Sequence, residues 1–207
     1  MQHDKASLAA LIGSRICHDL ISPIGAISNG LELVAMTTPD PASPEMSLIQ
    51  QSCDNAAARI RFFRIAFGSG GDRQPVESAE AARTLADHYA GTRIAPEWRM
   101  SSDVARGTVQ LAYLAALCLE AALPQGGNIA LSIEENMLVA QAQGMTVRLD
   151  EDLWSMLQEG APHAPRDLRP AHVQFALLAQ LCADAGIVPD LRHAAQTAEV
   201  RLPLGQA

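Results

Sequence analysis

The residues best suited to chemistry in this chain of 207 residues lie in the segment 15–23, which reads RICHDLISP. In this segment His18 stands directly before the carboxylate of Asp19. An imidazole is available as a neutral nucleophile near pH 7, and an adjacent carboxylate can accept a hydrogen bond from one of its ring nitrogens. His18 is therefore the candidate nucleophile of the chain, and the elements around it must leave its ring accessible.

The segment lies inside a long helical pattern. Apolar residues recur at spacings of three and four from about Ala6 to Met36, which predicts an amphipathic helix. The apolar stripe consists of Ile12, Ile16, Leu20, Ile24, Ile27, Leu31 and Val34. Because each residue of a helix is turned by ~100° relative to the one before, His18 lies almost opposite the centre of this stripe. The pattern predicts an exposed histidine rather than a core one.

A second helix is predicted from about residue 45 to residue 67, where apolar residues follow a near-heptad spacing. The loop before it contains Pro39, Pro41 and Pro44, and Ser43 is the expected N-cap. The two helices are expected to form an antiparallel hairpin. A hairpin covers only one side of its apolar stripes, and a second copy of the chain is the simplest source of further cover. We therefore expect a homodimer whose two hairpins form a four-helix bundle.

The pattern changes after the glycine-rich run at 68–71, which reads as a linker. Helices are predicted over 78–89, 103–123, 150–159 and 170–185, and strands over 93–100, 128–134, 137–143, 187–191 and 198–204. This order indicates one sheet with helices on one face. The fold class expected is α+β, with a helical hairpin domain over residues 1–70 followed by an α/β sandwich domain over residues 75–207.

Charge and composition exclude several classes of partner and site. A formal net charge of -8 and a pI near 5.1 argue against nucleic acids and anionic membranes. No run approaches the ~18 apolar residues that a membrane span needs, and the first residues lack the pattern of a secretory signal, so we expect a cytoplasmic protein. The histidines and cysteines lack metal-ligand spacing. The thiols expected to be free core residues are Cys17, Cys53, Cys118 and Cys182.

Residues His18 to Pro23 resemble the H-box of two-component sensor kinases, which contains a histidine, an acidic residue, a leucine, a small polar residue and a proline. In those kinases the histidine accepts a phosphoryl group on a dimeric helical hairpin. The regions 103–134 and 185–203 are similar in outline to the ATP-binding domain of the same kinases. The resemblance thus extends from the histidine to the second half of the chain.

The residues that hold ATP in those kinases are missing from this chain. Residues 114–119, where the helix should carry asparagines, read LAALCL, and residues 139–144, where Asp-x-Gly-x-Gly is expected, read VAQAQG. A glycine-rich lid is also missing between Arg148 and Arg169. In the kinases the asparagine holds Mg²⁺ and the aspartate binds the adenine amino group. The resemblance therefore implies a degenerate ATPase-like domain, and we expect no ATP binding.

A hairpin with an H-box, joined to a nucleotide-free remnant of this domain, is similar to the bacterial histidine phosphotransferases of the ChpT type. The match is sharpest between Ser14 and Val34. It implies a relay in which a phosphoryl group passes from the receiver-domain aspartate of a hybrid sensor kinase to His18, and from there to the aspartate of response regulators. It further implies receiver domains as partners and no cofactor of the chain's own, since Mg²⁺ would be supplied by the receiver.

The resemblance assigns roles to the residues of the motif, with His18 as phosphoacceptor. Asp19 can hydrogen-bond the ring and favour the attacking tautomer, Ser22 can contact catalytic groups of the receiver, and Arg15 can neutralise phosphate charge. A solvated carboxylate, a plain surface serine and a helix salt bridge stay open as their respective alternatives. The docking surface is expected on the exposed side of the first helix and comprises Ser14, Gly25, Ala26 and Asn29.

Two other functions are compatible with the sequence. One is an ATP-dependent histidine kinase with a divergent nucleotide site, which would label His18 from ATP without a receiver. The other is a non-enzymatic dimeric regulator that docks on two-component proteins, which would keep its activity in a His18→Ala variant.

Overall fold

A computed structural model describes residues 2–36, 43–68, 75–159 and 168–205 of the chain. Within these ranges the chain begins with two long helices, α1 (Gln2–Ala35) and α2 (Pro44–Ala66). A mixed part follows, in the order α3 (Ser78–Tyr89), β1 (Ile94–Trp98), α4 (Arg106–Ala121), β2 (Gly127–Glu134), β3 (Met137–Gln143), α5 (Glu151–Glu159), a short 3-10 turn (Pro170–His172), α6 (Val173–Asp184), β4 (Asp190–His193) and β5 (Thr197–Pro203). The predicted mixture of helices and one sheet is confirmed.

Individual residues visible in the sequence explain how α1 and α2 form a hairpin. Ser43 caps α2, with its hydroxyl oxygen accepting a hydrogen bond from the Met46 amide at 3.3 Å, and Pro44 occupies the first helical position. Gly30 of α1 lets the two helices approach closely, because a Cβ added there would lie 2.5 Å from Cγ1 of Ile49. The loop predicted to join the helices, 37–42, lies outside the described residues.

Helix α1 continues through Pro23, whose side chain is buried. A proline has no amide hydrogen, so the carbonyl of Asp19, four residues earlier, lacks its usual helical partner. The irregularity lies one turn after His18.

The sheet has five strands in the order β1-β2-β3-β5-β4. β1 runs parallel to β2, and the remaining neighbours are antiparallel. The β2–β3 turn at Glu135 and Asn136 has φ angles of 48° and 63°, which suit a tight two-residue hairpin. Pro96 lies in β1 at the edge of the sheet, where the missing amide hydrogen costs no ladder bond.

The final strands differ from the predicted ones at β4, which was expected at 187–191 and lies at Asp190–His193. The end of α6 explains this difference. Gly186 has a φ of +66°, its amide donates to Ala183, and the amide of Ile187 donates to Cys182 at 2.8 Å. These are the two bonds of a Schellman cap, so Ile187 belongs to the helix end and not to a strand.

Helix α4 is the centre of the core and packs against α2, α6 and the sheet. Its residues 112–119 are all buried. Phe62 and Phe63 of α2 belong to the same hydrophobic cluster as the buried residues of α4 and the sheet. The hairpin therefore does not have a core separate from the α/β part.

Two sets of contacts fix the end of α2 on the α/β part. The Phe62 ring stacks between His88 of α3 and Tyr113 of α4, at centroid distances of 3.8 and 4.5 Å. The buried amide of Gln110 donates to the carbonyls of Ala66 and Gly68, at 3.2 and 2.8 Å. These carbonyls belong to the end of α2, where helical partners are missing. The hairpin is thus held by both stacking and hydrogen bonds.

The four thiols are free, as predicted, but their locations differ. Cys118 and Cys182 are buried, whereas Cys17 and Cys53 are exposed on the hairpin. The prediction of core positions for the latter two was wrong, because the part of each hairpin helix that carries them does not face the α/β core. Among the described residues, no helix is long and apolar enough to cross a membrane.

Replacing Gly30 by leucine should destabilise the hairpin by roughly 1–3 kcal/mol, because the larger side chain overpacks the contact with Ile49. The free energy of unfolding from urea titration measures the effect. Gly25→Ala is the matched control, since a Cβ at Gly25 meets no atom within 4 Å. That control should stabilise the chain by about 0.5–1 kcal/mol through helix propensity. Equal effects of the two changes would contradict close packing at Gly30.

Candidate functional site

His18 lies on α1 with 85% of its side chain exposed. Its Nδ1 atom is 3.1 Å from Oδ1 of Asp19. Because a carboxylate can only accept hydrogen bonds, this contact favours the tautomer that carries the hydrogen on Nδ1. The Nε2 atom then keeps its lone pair. The arrangement leaves Nε2 accessible as a nucleophile, while Nδ1 of the same ring is hydrogen-bonded to Asp19.

Asp19 is held in turn by Arg15. The guanidinium Nε of Arg15 donates to Oδ2 of Asp19 at 2.7 Å, and the Asp19 side chain is 12% exposed. The two oxygens of the carboxylate are thus divided between the His18 ring and the guanidinium. A carboxylate at this depth needs such partners, since an unpaired charge away from water is costly.

Arg15 also bonds to the second half of the chain. Its Nη1 donates to the carbonyl of Ala171 in the 3-10 turn at 2.6 Å, and the side chain is 17% exposed. The sequence left two roles open for this residue, a phosphate-neutralising cation and a salt bridge. The structure places Arg15 in an ion pair with Asp19 and in a bond to the α/β part.

The remaining predicted site residues lie along the same side of α1. Ser22, one turn after His18, is exposed, as are Ser14, Gly25 and Asn29, and Ala26 is half-buried. The surface that they form with His18 is continuous along the helix, because positions three, four and seven apart share a face. The structure brings the predicted docking residues and the histidine together.

Sequence reasoning missed an apolar part of this surface. Ile21, on this surface, is 69% exposed, and Ile24, which was placed on the stripe predicted to be covered, is 57% exposed on another side of α1. Ile21 is three residues from His18 and therefore its neighbour on the helix surface. An apolar residue predicted to be the neighbour of an exposed histidine was the signal that could have indicated this exposed apolar side chain.

A cluster of buried and partly buried polar groups lies where the hairpin meets α3 and α4. The hydroxyl of Tyr89 donates to Oε2 of Glu120 at 3.2 Å. Burial raises the pKa of Glu120, and the nearby positive charge of Arg15 opposes this shift. Burial and the neighbouring Glu120 together raise the pKa of Tyr89. These residues come from distant parts of the sequence, so no local pattern indicated them.

His88 belongs to the same junction and is 9% exposed. Burial lowers the pKa of its ring to about 3, and the positive charge of Arg59 adds to this effect. Within the described residues its Nδ1 atom makes no hydrogen bond. Because its ring lies against Phe62 at an interplanar angle of 10°, His88 acts as an aromatic core residue rather than as a second nucleophile.

Residues 114–119 of α4, where the resemblance to sensor kinases led us to expect asparagines, lie in the core. Residues 114–119 of α4 are at most 2% exposed, so this part of the helix presents apolar side chains to its neighbours. The described residues also contain no cluster of three or more histidine, cysteine, aspartate or glutamate side chains that could hold a metal ion.

Comparison with known proteins assigns the family. A model of the histidine phosphotransferase C-terminal domain matches residues 78–196. The chain is also 32% identical, over 186 residues and 87% of the length of both proteins, to the protein phosphotransferase ChpT of Brucella abortus (strain 2308). The chain belongs to the ChpT-type histidine phosphotransferases. As a member of this family it is a phosphotransferase of two-component signalling, whose partners include receiver domains.

A solved structure of a bacterial phosphotransferase extends the similarity to the whole fold. It superposes with a TM-score of 0.76 at 28% identity, covering 95% of this chain and 96% of the other. The histidine kinase AdeS of Acinetobacter baumannii gives a TM-score of 0.45 at 8% identity, over 91% of this chain and 98% of the kinase. Because the match to the bacterial phosphotransferase covers 95% of this chain, that protein shares both the hairpin and the α/β part.

Acid should destabilise the fold through His88. The ring stays neutral in the folded chain until about pH 3 but protonates near pH 6.5 once unfolded, so the free energy of unfolding falls as the pH drops below 6.5. Between about pH 7.5 and about pH 5.5 the loss from this group is about 1.4 kcal/mol. His88→Phe keeps a ring against Phe62 and removes the titration. Urea titrations should therefore show a pH dependence that is smaller in the variant by that amount, and an equal dependence would contradict a neutral buried His88.

Proposed function

We propose that this phosphotransferase is a phosphocarrier that relays a phosphoryl group through His18. The donor is the receiver-domain aspartate of a hybrid sensor kinase, and the acceptors are the aspartates of response regulators. The single observation that carries the proposal is the geometry of His18, which is 85% exposed while its Nδ1 lies 3.1 Å from Asp19. An exposed Nε2 with a fixed ring is what in-line attack on phosphorus requires.

The chemical step conserves atoms and charge without a cofactor of the chain's own. The Nε2 lone pair attacks the phosphorus of the acyl phosphate, the phosphorus–oxygen bond to the donor breaks, and the donor aspartate leaves as a carboxylate. The Nδ1 hydrogen stays on the ring, which becomes cationic. Asp19 accepts the hydrogen bond from Nδ1 and stabilises this cation, as a carboxylate does for an imidazolium. The return step is the same reaction with an acceptor carboxylate as nucleophile.

The proposal assigns the divalent cation to the receiver. Transfer between aspartate and histidine needs positive charge on the phosphoryl oxygens, which Mg²⁺ commonly supplies. The Arg15 guanidinium is turned toward Asp19 and Ala171. We therefore assign charge neutralisation to Mg²⁺ in the acidic pocket of the receiver, with Ser22 contacting the receiver's catalytic groups.

The docking surface for the receiver is proposed along α1, around Gly25, Ala26 and Asn29, with Ser14 on the other side of His18. Exposure of this side supports the proposal, and a Cβ added at Gly25 meets no atom within 4 Å. Ile21 adds an exposed apolar side chain beside the histidine. A surface with small residues and one apolar anchor allows close approach of a partner helix.

The proposed relay does not use ATP. The apolar core at 114–119 supports this, since a nucleotide site there would need asparagine side chains facing an open cavity. Residues 139–143, where the kinase aspartate was expected, belong to β3 and pair with β2 and β5 as an ordinary strand. We therefore propose that the ATPase-like part has no nucleotide site, and these observations do not favour the kinase alternative.

We propose that the hairpins of two chains form a four-helix bundle. Apolar side chains on the hairpin are exposed in the single chain, and those at least half exposed include Ile24, Leu31 and Ile60. Large apolar side chains exposed along two adjacent helices are typical of an interface. A two-fold axis parallel to the hairpin would cover them and leave His18 outside.

The central prediction is that phosphoryl flow depends on His18. A receiver phosphorylated with labelled phosphate should transfer label to wild-type protein and then to a second receiver, and His18→Ala should abolish both steps. Incubation with labelled ATP alone should leave the wild type unlabelled. Labelling from ATP without a receiver would support the kinase alternative. If the His18→Ala variant still regulated two-component proteins as the wild type does, the non-enzymatic alternative would be supported.

A tryptophan at Gly25 should block transfer without disturbing the oligomer, because it adds bulk to the proposed docking surface only. Gly107→Trp is the matched control, since Gly107 of α4 is also exposed with no atom within 4 Å of an added Cβ. The rate of phosphoryl transfer is measured for both variants and the wild type, and only Gly25→Trp should lose it. Sedimentation velocity should give a two-chain mass for both variants. Normal transfer by Gly25→Trp would remove this surface from the docking site.

A further inference from the structure

The ion pair behind His18 connects the phosphoacceptor helix to a residue 156 positions away in the chain. Nε of Arg15 bonds to Asp19 at 2.7 Å, and Nη1 bonds to the carbonyl of Ala171 at 2.6 Å. Asp19 bonds to Nδ1 of His18 at 3.1 Å. A continuous series of contacts therefore runs from the 3-10 turn at 170–172 to the reacting ring.

The carbonyl at the far end of this series belongs to a rigid element. The 3-10 turn leads directly into α6, where Val173 and Phe175 are fully buried. Phe175 meets the Trp154 ring of α5 edge-on at a centroid distance of 5.9 Å. The backbone at Ala171 thus has a position set by the α/β core rather than by the helix that carries His18.

Arg15 is placed to act on Asp19 rather than on a phosphoryl group at Nε2. Its Nε and Nη1 atoms donate to the carboxylate and to the backbone, and its side chain is 17% exposed, whereas the His18 side chain is 85% exposed. Arginine presents several N–H donors in a fixed planar fork, which can hold two acceptors in a defined geometry. Lysine carries the same charge at a single nitrogen and lacks this fork.

We infer that Arg15 is a positioning residue. Bonded to the 3-10 turn at 170–172, it holds Asp19 in place, and Asp19 in turn holds the His18 ring with Nε2 directed outward. This inference rests on the proposed relay and deepens it. It gives the second half of the chain a function without nucleotide: it supplies the fixed point against which the phosphoacceptor is oriented. A freely turning ring would offer the correct nitrogen only part of the time.

The variant Arg15→Lys separates this role from phosphate binding, since it keeps the charge and loses the fork. We expect the rate of phosphoryl transfer to fall by about tenfold or more, in keeping with the sensitivity of transfer to small misplacements, while the affinity for the unphosphorylated receiver is unchanged. Nitrogen-15 NMR of the His18 ring should show mostly the Nδ1–H tautomer in the wild type and a larger Nε2–H fraction in the variant.

Two further variants sharpen the test. If Arg15 acts through Asp19, the double variant with both Arg15→Lys and Asp19→Asn should transfer phosphoryl groups no more slowly than Asp19→Asn alone. Two residues that act through the same group have non-additive effects. Arg61→Lys is the control for general loosening, because Arg61 of α2 also bonds from the hairpin to the α/β part, at 3.1 Å to Asp87 of α3. Its transfer rate and tautomer should equal those of the wild type.

The outcomes are distinct. Wild-type rate and tautomer in Arg15→Lys, additive losses in the double variant, or an equal loss in Arg61→Lys would each overturn the positioning role. An Nε2–H majority in the wild type would overturn it without any variant, which keeps the test decisive even if a variant folds poorly. Failure of the proposed function is separate, because the wild-type protein would then accept no phosphoryl group from any receiver.

Discussion

The insertion of Phe62 into the α/β core is the constraint on which the rest of the structure depends. Its ring lies between His88 and Tyr113, and Phe63 enters the same cluster. A large aromatic side chain contributes much of the apolar area of such a junction, and separating the two parts would expose it. The hairpin is therefore a fixed extension of the α/β part. This fixed relation brings the 3-10 turn at 170–172 beside α1, where Arg15 can reach it.

Charge is arranged in layers at this junction. His18, the proposed phosphoacceptor, is the outermost group, Asp19 and Arg15 lie behind it, and the partly buried Glu120 and the buried Tyr89 lie deeper still. Each charged group that leaves water gains a hydrogen-bond partner on the way inward, as buried polar groups require. Such an arrangement keeps the reactive ring solvent-exposed while its orientation is set from inside. It suits the proposed carrier role, in which the same nitrogen is offered to successive partners.

Much of the fold could be predicted from sequence because its signals are local. The three- and four-residue periodicity defined α1 and α2, Ser43 and Pro44 marked the start of α2, and the turn after β2 was visible at 135–136. The displaced β4 shows the limit. Ile187 is apolar enough for a strand, but the Schellman cap after α6 uses its amide, and cap geometry competes with strand propensity only in three dimensions.

The site was predictable to the same extent. His18 and the small residues along its face follow from helical geometry, whereas the partner of Arg15 is a backbone carbonyl and leaves no trace in residue types. The exposed Cys17 and Cys53 were misplaced because amphipathic periodicity marks an apolar side without saying whether one chain covers it. The burial of His88 and Glu120 likewise depends on the packing of α2 against α3 and α4.

The central claim is that one nitrogen of one histidine carries the phosphoryl group. Phosphorus-31 and nitrogen-15 NMR of protein phosphorylated by a receiver tests it most directly, since the coupling between the two nuclei identifies the phosphorylated atom. The expected result is a single phosphoryl group on Nε2 of His18, with a hydrogen on Nδ1 bonded to Asp19. Phosphorus on Nδ1, or on any residue other than His18, would contradict it.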